Sequence, residues 1–241
     1  FMTAATYMSS FDKASYARQG IFKDAEFNIQ YSASAIQLNE NGMSGLQSKA
    51  PLNDEMVRNI SSIDGVKKVS EIKNFGVRFD IPVHDEYGND DTVYPLSEKE
   101  TEEIGKYIEE GTADYDKLMS GDYILVHSNA TVKEIFGWSF QVGDQITLHY
   151  YDGTQMAEKE VTVLGVLNHQ YTIDNDRLEG FFIMPEQAIL SFISYDSLNS
   201  NLLVSTESEK EEAVGEALTQ MIGEKSEMTL ETLADRRAAY E

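Results

Sequence analysis

Two strand–helix–strand patterns, one over residues 27–81 and one over 181–230, bracket a middle stretch of different texture, and this interruption constrains the fold more than any motif. In the first pattern Phe27, Ile29 and Tyr31 alternate with polar residues, the period of a half-buried strand. Asn53 then stands as N-cap of a helix with Met56, Val57, Ile60 and Ile63 on one face, closed by Asp64-Gly65. Val66 to Ile81 follows as a strand, with Phe75, Val77, Phe79 and Ile81 facing inward until Pro82 interrupts the ladder. The second pattern repeats the order. Phe181 to Met184 reads as a strand, Pro185 opens a helix with Ala188, Ile189, Phe192 and Ile193, and Asn201 to Ser205 reads as a strand. Thr206 and Glu209 suggest a capping box before the stripe Val214, Ala217, Leu218, Met221 and Ile222, and Met228 to Leu230 closes as a strand. Crossover helices of this kind predict parallel neighbours.

Between the two patterns the sequence is richer in acidic loops and isolated strands. Asp85 to Asp91 is a polar turn, and Ser97 and Glu100 form a capping box for a helix carrying Ile104, Tyr107 and Ile108. Tyr123 to Val126 is an apolar run suited to a fully buried strand, and Asn129 is expected to cap a short helix with Val132, Ile135 and Phe136. Gln145 to Tyr151 and Lys159 to Leu167 read as strands around the turn signal Asp152-Gly153. Before all of this, Tyr7, Met8, Phe11, Ser15 and Tyr16 fall at helical spacing up to Gly20, and Leu230 to Glu241 reads as a helix without a stop signal. Both termini are expected to be cut in mid-element.

Composition removes several function classes. Against 42 acidic residues stand 19 Lys and Arg, for a formal charge of −23. Phosphate backbones need clustered cations, so nucleic acid is an unsuitable partner, and an anionic membrane surface is disfavoured on the same ground. The absence of cysteine excludes disulfides, thiol catalysis and Cys-ligated metal. Gly223-Glu224-Lys225-Ser226 lacks the P-loop spacing and follows a helix where a P-loop would open one. No Gly-x-Ser-x-Gly elbow occurs. His84, His127, His149 and His169 lie far apart and are expected on loops or strand surfaces. Asp174-Asn175-Asp176 with Glu179, and Asp85-Glu86 with Asn89-Asp90-Asp91, offer oxygen ligands without the calcium-loop spacing, and are expected to be solvated turns. Trp138 and Tyr150-Tyr151 are expected to cap a core edge. No catalytic, cofactor-binding or metal-ligating residue is assigned.

Several strings resemble the extracytoplasmic core domain of ABC-transporter permeases of the MacB and FtsX-like type. They are Lys133-Glu134-Ile135-Phe136-Gly137, then Gln141-Val142-Gly143-Asp144-Gln145-Ile146-Thr147-Leu148, then Val161-Thr162-Val163-Leu164-Gly165-Val166-Leu167. Ile63-Asp64-Gly65-Val66-Lys67-Lys68-Val69-Ser70 and Phe182-Ile183-Met184-Pro185 are similar to two further stretches of that family. The resemblance covers residues 20–235 and implies an α+β fold, in which two βαβ units form a porter-like subdomain split by an inserted β-rich α+β subdomain. The implied division is a stalk helix at 1–20, a porter-like subdomain at 21–81 and 178–233, an insertion at 82–177, and the start of a second stalk helix at 234–241. It also implies a place on the extracellular or periplasmic side of a cell membrane, with no enzymatic activity and no cofactor. The implied role is to couple cytoplasmic ATP hydrolysis to export or mechanical work at the outer face. The partners would be a cytoplasmic ATP-binding subunit or domain, a second permease copy or half, and a cationic peptide or accessory protein. A free-standing secreted acidic ligand-binding protein or hydrolase is the alternative reading.

Overall fold

A computed structural model of the chain describes residues 17–18, 20–31, 52–81, 90–127, 129–152, 155–175, 180–223 and 228–240. In chain order the strands are β1 (Phe27–Tyr31), β2 (Val66–Asp80), β3 (Asp90–Leu96), β4 (Ile108–Gly111) and β5 (Tyr123–Val126), followed by β6 (Gln145–Tyr151), β7 (Met156–Leu167), β8 (Phe182–Pro185), β9 (Asn199–Thr206) and β10 (Met228–Thr232). The helices are α1 (Asp54–Ser61), α2 (Glu98–Glu103), α3 (Tyr115–Met119) and α4 (Asn129–Phe136), then α5 (His169–Asp174), α6 (Glu186–Ile189), α7 (Glu211–Ile222) and α8 (Leu233–Ala239). The first helix read from the sequence, with Tyr7, Met8 and Phe11 at helical spacing, lies outside the described residues up to Tyr16. Contacts divide the α+β chain into two compact units. One draws on residues up to 36, 51–72 and 200–241, and the other holds 73–199, a wider span than the 82–177 lobe read from texture.

The first unit is a four-stranded sheet in the order β10-β1-β9-β2. Strand β1 is antiparallel to both β10 and β9. The Ser205 and Ser200 hydroxyls meet Lys68 and Glu71 in opposite running order, so β9 and β2 are antiparallel too. This corrects the expectation of parallel neighbours. Each pair of strands joined by a helix has one antiparallel strand inserted between them, which is the split-βαβ arrangement of ferredoxin-like folds. Helix α1 starts where the Asn53 side chain accepts from the Met56 N–H at 3.0 Å, and buries Met56 and Ile60. Helix α7 buries Val214, Leu218 and Ile222, and these two helical faces pack with Phe27, Ile29, Leu202 and Val204 of the sheet. Gly215 brings α7 close to the sheet, since a β-carbon there would sit 3.2 Å from the Phe27 ring. The capping box expected at Thr206 and Glu209 does not form. Thr206 ends β9, the chain turns through Glu209 at φ 68°, and α7 begins after Lys210 without a side-chain cap. On the opposite sheet face Ala17, Ile21, Phe22, Ala25 and Leu203 pack with Leu233 of α8. Leu230 therefore belongs to β10, and the terminal helix starts at Leu233, capped by the Thr232 hydroxyl accepting from Asp235 N–H at 2.9 Å.

In the second unit the second half of β2 pairs antiparallel with β3, β3 runs parallel to β8, β8 is antiparallel to β5, and β5 is parallel to β7. Strand β6 pairs with both β7 and β2. Thr162 of β7 faces Tyr123 of β5 and Gln145 of β6, so those neighbours lie on opposite edges and the circuit β2-β3-β8-β5-β7-β6 closes on itself. The result is a six-stranded barrel, which leaves those strands no free edge. Its interior holds Phe75, Phe79, Val126, Phe140, Leu148 and Phe182 with their neighbours, and edge-to-face contacts such as Phe79–Phe182 at 5.0 Å order the rings. Outward side chains of the same strands, Leu125, Leu164, Leu167 and Ile183, make a second layer with Ile104, Leu118 and Tyr171. Burial on both faces explains why β5 and β8 read as unbroken apolar runs.

Two helices in this unit differ from expectation. Ser97 and Glu100 form the capping box, with Ser97 N–H donating to Glu100 Oε1 at 3.1 Å, but α2 ends at Glu103. A 3-10 turn carries Ile104 and Tyr107, and Ile108 opens β4, because residues 108–111 pair with the far end of β7. Asn129 does not cap α4. Its amide donates to the Phe140 carbonyl and accepts the Phe140 N–H, both at 2.8 Å, which fastens the segment after the helix. Helix α4 buries Val132 and leaves Ile135 64% exposed.

Candidate functional site

The chemically unusual place in the second unit is the lead-in to β8, the segment Gly180-Phe181. Asp91 lies opposite Val77 in the β2–β3 register, on the inward-facing row that also holds Phe75 and Val93. One carboxylate oxygen accepts the Thr92 N–H at 2.7 Å and the other accepts the Phe181 N–H at 3.0 Å. His127 follows the inward-facing Val126 and turns to the outer layer, where its ring meets the Tyr171 ring edge-on at 5.5 Å. Its backbone N–H donates to the Phe181 carbonyl at 3.0 Å, and its ring hydrogen-bonds the Gly180 backbone. One short segment is thus held by a carboxyl from inside the barrel and an imidazole from outside. A β-carbon on Gly180 would lie 2.3 Å from the Thr92 carbonyl oxygen, so only glycine lets the strands approach this closely.

Burial acts on both groups. It raises the Asp91 carboxyl from 3.8 to about 7, partly opposed by the Thr92 and Phe181 N–H groups. It lowers the His127 imidazole from 6.5 to about 4, partly opposed by a hydrogen bond to the Gly180 backbone. Beyond Tyr171 the Tyr107 hydroxyl donates to Asp174 at 2.6 Å, and this bond raises the tyrosine's pKa. Gln170 donates to the other Asp174 oxygen at 2.8 Å, so Asp174, exposed at the last position of α5 where the expected turn begins, has two side-chain partners.

The histidines divide. His127 is 2% exposed, which corrects its placement on a loop or strand surface. Nothing in its local sequence marked it, because its burial comes from α5, more than forty residues later in the chain. His149, on the outward row of β6, stands between Asp80 of β2 at 2.5 Å and Glu158 of β7 at 3.3 Å. His169 opens α5 at the surface. His84, the turn before Asp90, Asp176 with Glu179, and Glu224-Lys225-Ser226 lie outside the described residues. Among the described residues no group of three or more His, Asp or Glu is placed to hold a metal ion. Trp138 packs on Phe136 and Phe140 at the edge of the barrel core, and Tyr150 is buried inside it.

In the first unit a groove of about 950 Å³ runs between α7 and α8 over Phe27. Glu209, Glu211, Glu212, Glu216 and Asp235 line it together with Arg237, which is paired with Glu211 at 3.3 Å. On the other side of the same unit the Arg236 guanidinium lies over the Phe22 ring at 4.4 Å. Among the described residues no helix is long and apolar enough to cross a membrane.

The chain is similar to two solved structures. One is the periplasmic region of MacB from Actinobacillus actinomycetemcomitans, at 11% identity and TM-score 0.41, covering 93% of this chain and 97% of that one. The other is the extracellular domain of the noncanonic ABC-type transporter YknZ from Gram-positive bacteria, at 19% identity and TM-score 0.35, covering 86% of this chain and 99% of that one. No protein-family model and no curated protein matches the chain.

Proposed function

We propose that this chain is the extracytoplasmic domain of an ABC-transporter permease, a module that couples cytoplasmic ATP hydrolysis to export or mechanical work on a substrate at the outer membrane face. The observation that carries the reading is the pairing of the first and last described segments. Phe22 and Arg236 stack on one another in one unit, so the chain leaves that unit beside the place where it enters. A domain hung between two membrane helices needs this geometry, because both helices must return to one bilayer face. The split-βαβ unit supports it further, since the barrel is inserted between its two halves and leaves the two ends together.

On this reading the module works by transmission and contact, without a reaction of its own. Its partners are a cytoplasmic ATP-binding subunit reached through flanking membrane helices, and a second permease copy or half. The acidic groove between α7 and α8 suits a cationic peptide or accessory protein through long-range attraction. Alkaline extraction of membranes carrying the parent polypeptide tests the assignment. The parent should stay in the membrane pellet while the 241-residue chain expressed alone is released. Release of the parent as well would overturn it.

A further inference from the structure

At the ends of the parallel strands β3 and β8 the second unit has a cavity of about 160 Å³ that the transporter reading does not use. Leu96 and Pro185 are register partners there, and each strand is followed by a short helix, α2 and α6. Leu96, Pro185 and Met119 give the cavity an apolar wall. Its size is close to the ~150 Å³ that holds one benzene-sized group, so it has room for a single side chain. The polar lining carries one sign of charge. Glu98 and Glu186, in the first turns of α2 and α6, both line the cavity, and neither carboxylate is engaged by another described residue. No Lys or Arg lines it. Tyr115 of α3 stands at the rim, 49% exposed, and Gln187 completes the polar edge.

The occupant follows from this chemistry. A first-turn carboxylate on its own suits the helix it opens. Two around one cavity repel each other, and a neutral or anionic guest would cover both charges without pairing them. A metal ion fits poorly, since no group of three or more His, Asp or Glu among the described residues is placed to hold one. What remains is a cation on an apolar stem. Arginine suits the lining better than lysine, because its planar guanidinium stacks on aromatic rings and has donors enough for two carboxylates, whereas an ammonium is a compact, strongly hydrated charge. We propose that this cavity is a socket for one arginine side chain of a partner protein. The stem lies against Leu96, Met119 and Pro185, and the guanidinium sits between Glu98 and Glu186 with its face towards Tyr115. The formal charge of −23 draws a basic partner in from a distance, and the socket fixes where it docks. The proposal stands apart from the membrane assignment and from the acidic groove of the first unit, so either can fail without the other.

The test is an NMR titration of the 241-residue chain with a blocked tripeptide that carries a central arginine between alanines. Saturable shifts should appear at residues 96–101, 115–119 and 185–187. Glu98→Gln and Glu186→Gln should each weaken binding by at least about fivefold, and Tyr115→Ala should weaken it as well. Glu212→Gln, the same loss of charge in the first unit, should leave it unchanged. The lysine version of the peptide should bind more weakly. Absence of a saturable shift, shifts spread over the whole acidic surface, equal losses at Glu98 and Glu212, or lysine binding as tightly as arginine would each overturn the socket. If a socket variant fails to fold, the unmodified chain decides: the arginine peptide should shift these residues and a leucine-centred one should not, and equal shifts from both would contradict the proposal.

Discussion

The guanidinium of Arg236 lies over the ring of Phe22 at 4.4 Å, while its Nη2 reaches Glu231 Oε1 at 3.3 Å. Phe22 is fully buried among Ala17, Leu203 and Leu233, so the contact seals the apolar layer joining the early segment to α8. Arg236→Ala removes both the cation–π contact and the cover over the ring, and should lower the unfolding free energy by about 1–2 kcal/mol in urea titration. Arg236→Lys should recover only part of it, because an ammonium cannot stack as a plane.

The capping box at α2 is open to a direct check. Ser97 accepts the Glu100 N–H at 3.2 Å and Glu100 accepts the Ser97 N–H at 3.1 Å. Ser97→Ala should destabilise the chain by about 1 kcal/mol, measured as a shift of the denaturation midpoint with unchanged slope.

Asn129 fixes the segment that carries Phe140 into the barrel through two bonds of 2.8 Å. Asn129→Ala leaves the Phe140 N–H and carbonyl without those partners and should cost about 1–3 kcal/mol. Asn129→Asp keeps the acceptor alone, so it should fall between the two, again by urea titration.

At Gly180 the constraint is close approach, since a β-carbon would lie 2.3 Å from the Thr92 carbonyl oxygen. Gly180→Ala should force β3 and β8 apart at a cost of about 1–3 kcal/mol. Amide hydrogen exchange should quicken first at residues 181–183, and an unchanged exchange pattern would contradict the packing.

Local chemistry was legible in the sequence wherever it was carried by neighbours along the chain. Asn53, Ser97 and the alternation of Phe75, Val77 and Phe79 each declare their element within a few residues. Asn129 misled, because an asparagine that caps a helix and one that reaches eleven residues forward to Phe140 look the same in sequence. The antiparallel order of the first unit depends on which strand slips between β1 and β2, and that strand, β9, lies more than a hundred residues later. Closure of the barrel through Thr162, and the meeting of Asp91 with Phe181, depend equally on distant pairings that no local period encodes.

The assignment to the outer face of a membrane is tested most directly by thiol labelling, because this chain contains no cysteine of its own. Ser208→Cys in the first unit and Glu134→Cys in the second, both at exposed positions, are placed one at a time in the parent polypeptide, with any cysteine elsewhere in it replaced. Treatment of intact spheroplasts with a membrane-impermeant maleimide should modify both sites. Protection of both until the membrane is permeabilised would put the domain on the cytoplasmic side and contradict the account.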